Sequence, residues 1–399
     1  MTTGSGSMSH ARTATASAQV PHLSADTTPA AAVSPLVVSG CGVLSAAGPG
    51  LRSLGDPAAG GSTSGPAEAG AGLLAPDTDD LPPVPVAPIH DLRTDALGRK
   101  GLASLDRTTI LALLACHQAL GGLSGELSAQ DRLRTGVAVG TSTGSIRSSS
   151  EFSRDTLVQE KPYLVRASLF PNSVMNCCAS QVALRNGLRG VNATLAGGRL
   201  SSHAAFRYAR NAIVQGHADR VLVGGVEELC PQTLWGWHRS EALAPGVKVG
   251  EGAAIFVLEP PESAANAGRS PLAEILACEL ASSAGRGNAQ AVVAAGVATV
   301  RRALERSRTS AEEITTVVPG TTGVVGLEAV ETAILNRVLG RRTIRRIDPV
   351  TMAGETFSAG GAFQLAAWLA RPGDRADTAL IISLDQDGAV ACLVARRTP

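Results

Sequence analysis

Gly250-Glu251-Gly252-Ala253-Ala254-Ile255-Phe256-Val257-Leu258-Glu259 is the stretch on which the reading of this sequence turns. Ala253–Leu258 is an unbroken apolar run bounded by polar residues and glycine. It suits a strand covered on both faces. Arg220–Gly224, upstream, has the same character. Ser201–Gly216 precedes it and reads as a helix. There Ala205, Ala209 and Ile213 recur every fourth residue, and Gly216 stands where a C-terminal cap belongs. Thr135–Gly140 is a further strand. Ile110, Leu111, Leu114 and Ala115 form a helical stripe after Asp106.

Toward the N-terminus, Leu36–Gly40 reads as a buried strand ending in a glycine turn. Residues 1–35 are mostly Ser, Thr, Ala and Gly and read as a disordered tail. Residues 52–88, rich in Gly, Pro, Ala and Asp, read as a surface excursion. Beyond a linker at Pro260–Ser270 the cycle restarts. Strands are expected near Ala273–Leu276, Thr315–Val318, Ala379–Ile382 and Val390–Ala395. Helices are expected near Ala289–Arg306, Leu327–Leu339 and Gly360–Leu369. Such alternation implies an α/β protein with a parallel sheet, in two successive halves over 36–262 and 263–399.

Composition bounds the function. The chain has 399 residues, 44% of them hydrophobic and 17% charged, enough for a sizeable core. With a net charge of +1, neither nucleic acid nor an anionic membrane surface is expected as partner. No apolar run approaches the roughly 20 residues that span a bilayer, and no signal-peptide core is visible. The seven cysteines lack CxxC spacing, which fits reduced thiols in a cytoplasmic protein. No cofactor or metal is expected.

Several segments, in order, resemble the β-ketoacyl synthase family. Val37–Ser45 is similar to its opening strand and turn, Leu105-Asp106-Arg107 to a helix start, and Gly136–Thr141 to its second strand. Phe170-Pro171-Asn172 and Gly187–Gly190 resemble the stretch leading to its nucleophile. Gly216–Glu227 resembles its Gly-x-Ala-Asp…Gly-Gly-x-Glu signature, and Gly250–Glu259 is the most specific match. The resemblance covers roughly residues 36–396 and implies a thiolase fold in five α-β-α-β-α layers. It also implies an obligate dimer and acyl chains delivered by an acyl carrier protein.

A ketosynthase needs a cysteine at a strand-to-helix turn, where the helix N-terminus favours the thiolate. Two histidines then support decarboxylation and the enolate. Counted from Asn192, the cysteine position holds Arg199, which cannot form a thioester. The histidine positions hold Pro319, before Gly320-Thr321-Thr322-Gly323, and Glu355, after Gly354. Val350 stands for the usual lysine, and Ser383–Gly388 for the gating loop. The last histidine in the chain is His238, so no shift of register supplies a histidine to the second half.

This loss resembles the chain-length factors of type II polyketide systems. These are non-catalytic subunits that pair with an active ketosynthase subunit and shape its elongation tunnel. The resemblance implies a heterodimer, with carrier protein met directly or through the partner. It also implies a tunnel-lining helix near Gly144–Ser153, with Ile146, Ser149 and Ser153 on one face. Arg199 either pairs with Glu355 or faces solvent or the dimer partner. Cys178, which resembles a Cys-Ala-Ser nucleophile but lies 21 residues early, reads as a buried thiol. Its alternative reading is the nucleophile of an unusual ketosynthase or acyltransferase. A homodimeric scaffold that binds carrier protein is another reading. His203 reads as a packing or polar-contact residue, and Glu227-Glu228 as structural acids that point apart.

Overall fold

The computed structural model describes residues 34–55, 81–123, 127–285, 287–373 and 377–398. The expected tail, up to residue 33, and most of the excursion over 52–88 lie outside these residues.

Among the described residues, ten strands form the main path of the large sheet. The first half contains β1 (Leu36–Ser45), β2 (Thr135–Gly140), β3 (Asn192–Leu195), β4 (Arg220–Glu227) and β5 (Gly252–Glu259). The second contains β6 (Ala273–Ser282), β7 (Thr316–Val318), β8 (Arg345–Arg346), β9 (Thr378–Leu384) and β10 (Ala389–Arg397). The spatial order is β3-β2-β4-β5-β1 in the first half and β8-β7-β9-β10-β6 in the second. Taken in chain order within each half, both run third, second, fourth, fifth, first. That repetition is the duplication which the alternating pattern implied. The halves meet where Leu36–Val38 of β1 pairs antiparallel with Ala273–Ile275 of β6.

The sheet is mixed, which corrects the expectation of a parallel one. β3, β2 and β4 run parallel, as do β8, β7 and β9. The last two strands of each order are antiparallel to their neighbours. The reason is visible at β9 and β10, joined only by Asp385–Gly388. A link that short makes a hairpin, whereas a parallel crossover needs a dozen residues or more.

Helices α1 (Arg107–Gly121), α2 (Ile146–Val158), α3 (Cys177–Asn186), α4 (Ser201–Val214) and α5 (Pro231–Ser240) belong to the first half. The second half contributes α6 (Ala289–Ser307), α7 (Leu327–Leu339) and α8 (Gly360–Ala370). α1 and α3 cover the outer face of the first sheet, α6 and α7 that of the second, and α4 and α8 lie between the sheets. Three apolar clusters fill the spaces. Phe206, Phe256, Phe363 and Trp368 centre the inner one. Leu111, Val137 and Ile255 belong to one outer cluster, Val300, Ile334 and Leu380 to the other. This is the five-layer arrangement. Elsewhere the core is mostly Ala, Val and Leu, as the 3% aromatic content requires.

Two local readings change. β1 does not turn at Gly40 but continues to Ser45. A Cβ on Gly40 would lie 2.4 Å from the Ala119 carbonyl oxygen, and one on Gly42 only 1.9 Å from that of Ala115. These glycines admit α1 close against the strand rather than bend the chain. The linker at Pro260–Ser270 contains a helical turn, Pro261–Asn266.

Candidate functional site

β3 ends at Leu195, and α4 begins at Ser201 after a single 3-10 turn, Gly198–Leu200. Gly198 has φ +56°, and a Cβ there would sit 2.1 Å from an Asp385 carboxylate oxygen. Glycine is therefore required, and the next residue, Arg199, is pushed into the interior at the head of α4. Its backbone N–H donates to Asp385 Oδ2 at 2.8 Å. An anion from the β9–β10 loop thus occupies the helix-end donor, where negative charge is favoured.

The Arg199 side chain is buried, with 6% of it exposed, and it meets Glu355, 2% exposed. Nη2 donates to Glu355 Oε2 at 3.0 Å and to the Gly320 carbonyl at 2.5 Å. Nη1 lies 3.0 Å from Oε1 in an ion-pair contact, at an angle that leaves Nη1 and Nε without hydrogen-bond acceptors. Of the two placements open to Arg199, the structure selects the pair.

Glu355 is held from several sides. Its N–H donates to the Lys248 carbonyl at 2.8 Å, and its own carbonyl accepts from Gly250 N at 2.8 Å. The opening glycine of the decisive stretch thus fixes this acid in place. Glu355 Oε1 also accepts from the Phe357 N–H at 2.7 Å. Phe357 has φ +45°, a conformation that non-glycine residues adopt at a cost of order 1–3 kcal/mol. Pro319 follows β7 and presents Gly320, whose N–H donates to Glu331 Oε1 at 3.0 Å. Burial pushes the Glu331 carboxyl up to about 7.

Arg199, Pro319, Val350 and Glu355 therefore converge. The chamber they enclose with Phe363 has about 20 Å³, room for one water molecule. In front of it lies a cavity of about 380 Å³, bordered by Ile146, Arg199, Glu227, Trp237, Phe357 and Asp385. The Trp237 and Phe357 rings meet edge to face at 5.6 Å. Neither space is lined by a cysteine or histidine.

The other expected residues fall as follows. Ile146 reaches the larger cavity, but Ser149 and Ser153 do not. Ser149 Oγ donates to the carbonyls of Ser145 and Ser173, each at 3.1 Å, so it faces the turn beside α2; Ser153 is exposed. The three residues therefore do not share the cavity, because the neighbouring turn takes up Ser149. Cys178 is buried in the outer core against α1, and burial pushes its thiol well up, so it cannot serve as a nucleophile for the cavity. His203 is 1% exposed, with no partner on either ring nitrogen, and burial lowers its pKa to about 4. It packs against Gly361 of α8. Glu227 and Glu228 diverge as expected. Glu227 accepts from Ser142 and Ser358, and Glu228 from Ser145 Oγ and Arg147 N at the start of α2. Burial raises both to about 7. The sequence reading missed Ser142, Trp237 and Phe357 as members of the site, whereas Asp385 lies in the Ser383–Gly388 stretch read as the gating loop.

Two repeated halves around a buried helix pair, with the site at a strand-to-helix turn, define a protein of the thiolase-fold class. Residues 90–264 match the family model described as beta-ketoacyl synthase, N-terminal domain. Nodulation protein E of Rhizobium meliloti is 29% identical over 282 residues, covering 67% of this chain and 69% of that protein. The actinorhodin polyketide beta-ketoacyl synthase 2 of Streptomyces coelicolor is 28% identical over 230 residues, 52% of this chain and 55% of that one. A chain from the structure of the ishigamide ketosynthase/chain length factor superposes with a TM-score of 0.74 at 30% identity, covering 92% of this chain and 100% of that chain. The chain belongs to the β-ketoacyl synthase family.

Proposed function

We propose that this chain is a non-catalytic chain-length factor, a subunit that pairs with an active ketosynthase and forms one wall of the tunnel in which a polyketide or polyene chain grows. The buried Arg199–Glu355 pair carries this reading. By the family resemblance its two residues stand where a ketosynthase would carry its cysteine and a histidine, and the chamber beside the pair has space for only one water. A guanidinium stays charged and cannot hold an acyl group, so the pair serves closure rather than condensation.

An unpartnered surface supports the pairing. Leu157, Tyr163 and Leu184 are 84%, 71% and 72% exposed, and Val158, Leu164, Phe170, Val174 and Met175 are exposed with them. They lie on α2, α3 and the turns between, which pack on one another. Exposed apolar patches of this kind mark interaction sites. β3, beside them in the fold, is an edge strand paired among the described residues only with β2. On this reading the α2 face begun by Ile146 borders the tunnel, and Ser149 and Ser153 face it only with the partner in place. The two halves are 36–262 and 263–399. Carrier protein delivers to the complex, in the cytoplasm. Among the described residues no helix is long and apolar enough to cross a membrane.

The test is co-expression with a tagged ketosynthase from the same organism. Co-purification in equal amounts, with the chain poorly soluble when expressed alone, is the expected result. A stable homodimer that ignores the ketosynthase would instead support a carrier-binding scaffold and overturn the proposal.

A further inference from the structure

Ser142 follows β2, and its hydroxyl donates to Glu227 Oε1 at 2.7 Å. Glu227 ends β4 and is 3% exposed. Its other oxygen accepts a hydrogen bond from Ser358 Oγ, which fixes the carboxylate's orientation. Both Ser142 and Glu227 border the 380 Å³ cavity. A hydroxyl bonded to a base that is itself oriented by a third group is the arrangement of an activated nucleophile. The neighbouring acid marks the contrast. Glu228 turns away to bind the start of α2, a structural task, while Glu227 borders the cavity.

The cavity supplies the remaining parts. Ile146, Trp237, Val324 and Phe357 give an apolar wall that fits an acyl chain, and Arg199 places a cation at its edge. Burial holds the Glu227 carboxyl near 7, within the range in which a carboxylate accepts a hydroxyl proton at neutral pH.

We propose that Ser142, with Glu227 as its base, is an acyl-acceptor site that takes an acyl group from a thioester to form an oxygen ester. The Ser142 Oγ attacks the thioester carbonyl while its proton passes to Glu227. The new C–O bond forms, the C–S bond breaks, and the electron pair leaves on sulfur. Glu227 returns the proton to the departing thiolate, and a free thiol is released. The inference rests on the cavity alone and does not depend on the chain-length-factor reading.

The test is to incubate the purified full-length chain with the octanoyl thioester of N-acetylcysteamine, digest it with trypsin and map the acylated residue by mass spectrometry. The expected result is an ester on Ser142 within the Thr135–Arg147 peptide. Ser142→Ala should abolish it, and Glu227→Gln should slow labelling by about 100-fold or more. Ser142→Cys should take the same label as a thioester cleaved by neutral hydroxylamine, and circular dichroism verifies that each variant is folded. The proposal is overturned if the wild-type chain takes no label, if the label maps to another residue, or if Glu227→Gln labels at the wild-type rate.

Discussion

Removing Glu355 alone should be among the most damaging single changes in this protein. Arg199 would keep one acceptor, the Gly320 carbonyl at 2.5 Å, while its side chain remains 6% exposed. The Phe357 N–H would lose its acceptor as well. Breaking a buried pair from one side costs about 3–5 kcal/mol, because the surviving charge is left without compensation. Glu355→Ala should therefore destabilise by about 4 kcal/mol, and by the same amount across neutral and mildly acidic pH, since the guanidinium cannot shed its charge. Arg199→Met leaves a buried carboxylate, which can take up a proton. Its cost should be marked at about pH 8 and shrink at about pH 5.5. The double variant Arg199→Met, Glu355→Leu replaces the pair with apolar groups and should lie within about 1 kcal/mol of wild type, or above it. Urea denaturation at both pH values, at constant slope, reads all three. A Glu355→Ala cost below about 1 kcal/mol, or a double variant as unstable as the two singles summed, would refute the reasoning.

Three more outcomes are expected. Glu227, Glu228 and Glu331 are raised by burial from 4.5 to about 7, so each contributes stability that is full below about pH 4.5 and lost, by about 3 kcal/mol, as pH rises through 7. His203 acts oppositely: its pKa falls from 6.5 to about 4, so stability is lost as pH drops from 6.5 towards 4. Three acids outweigh one histidine, so urea midpoints should be higher at about pH 5.5 than at pH 8, and the reverse order would contradict this balance. Gly42→Ala should cost on the order of 3 kcal/mol, or force α1 off β1, because its Cβ would meet the Ala115 carbonyl at 1.9 Å; thermal denaturation reads it. Leu157→Asp with Leu184→Asp should leave the far-ultraviolet spectrum unchanged and abolish co-purification with the ketosynthase; retained binding would remove this patch from the interface.

Continuous apolar runs are read easily, and β2, β4 and β5 were legible for that reason. Strand direction was not, because it depends on how each connection crosses the sheet. Only the tight Asp385–Gly388 link hinted at a hairpin. Gly40 looked like punctuation because the partner that demands it, α1, lies about 75 residues away, as the Val43–Gln118 hydrogen bond shows. Arg199, Pro319 and Glu355 were placed through family resemblance, and the pairing of Arg199 with Glu355 stood as one of two options. Ser142 was invisible as a site member. It acts across 85 residues of sequence, and nothing in its local pattern differs from an ordinary polar loop. Asp385 was reached only through the resemblance, as part of the stretch that stands for the gating loop, and its bond to Arg199 spans 186 residues.

The central claim is that condensation belongs to a partner. It is tested most directly by reconstituting chain elongation with the co-purified complex, a carrier protein and malonyl units. The ketosynthase's own cysteine is replaced in one preparation, and the double variant Arg199→Met, Glu355→Leu is introduced into this chain in another. The account predicts that elongation stops in the first preparation and continues in the second. Elongation that survives loss of the partner's cysteine would contradict it.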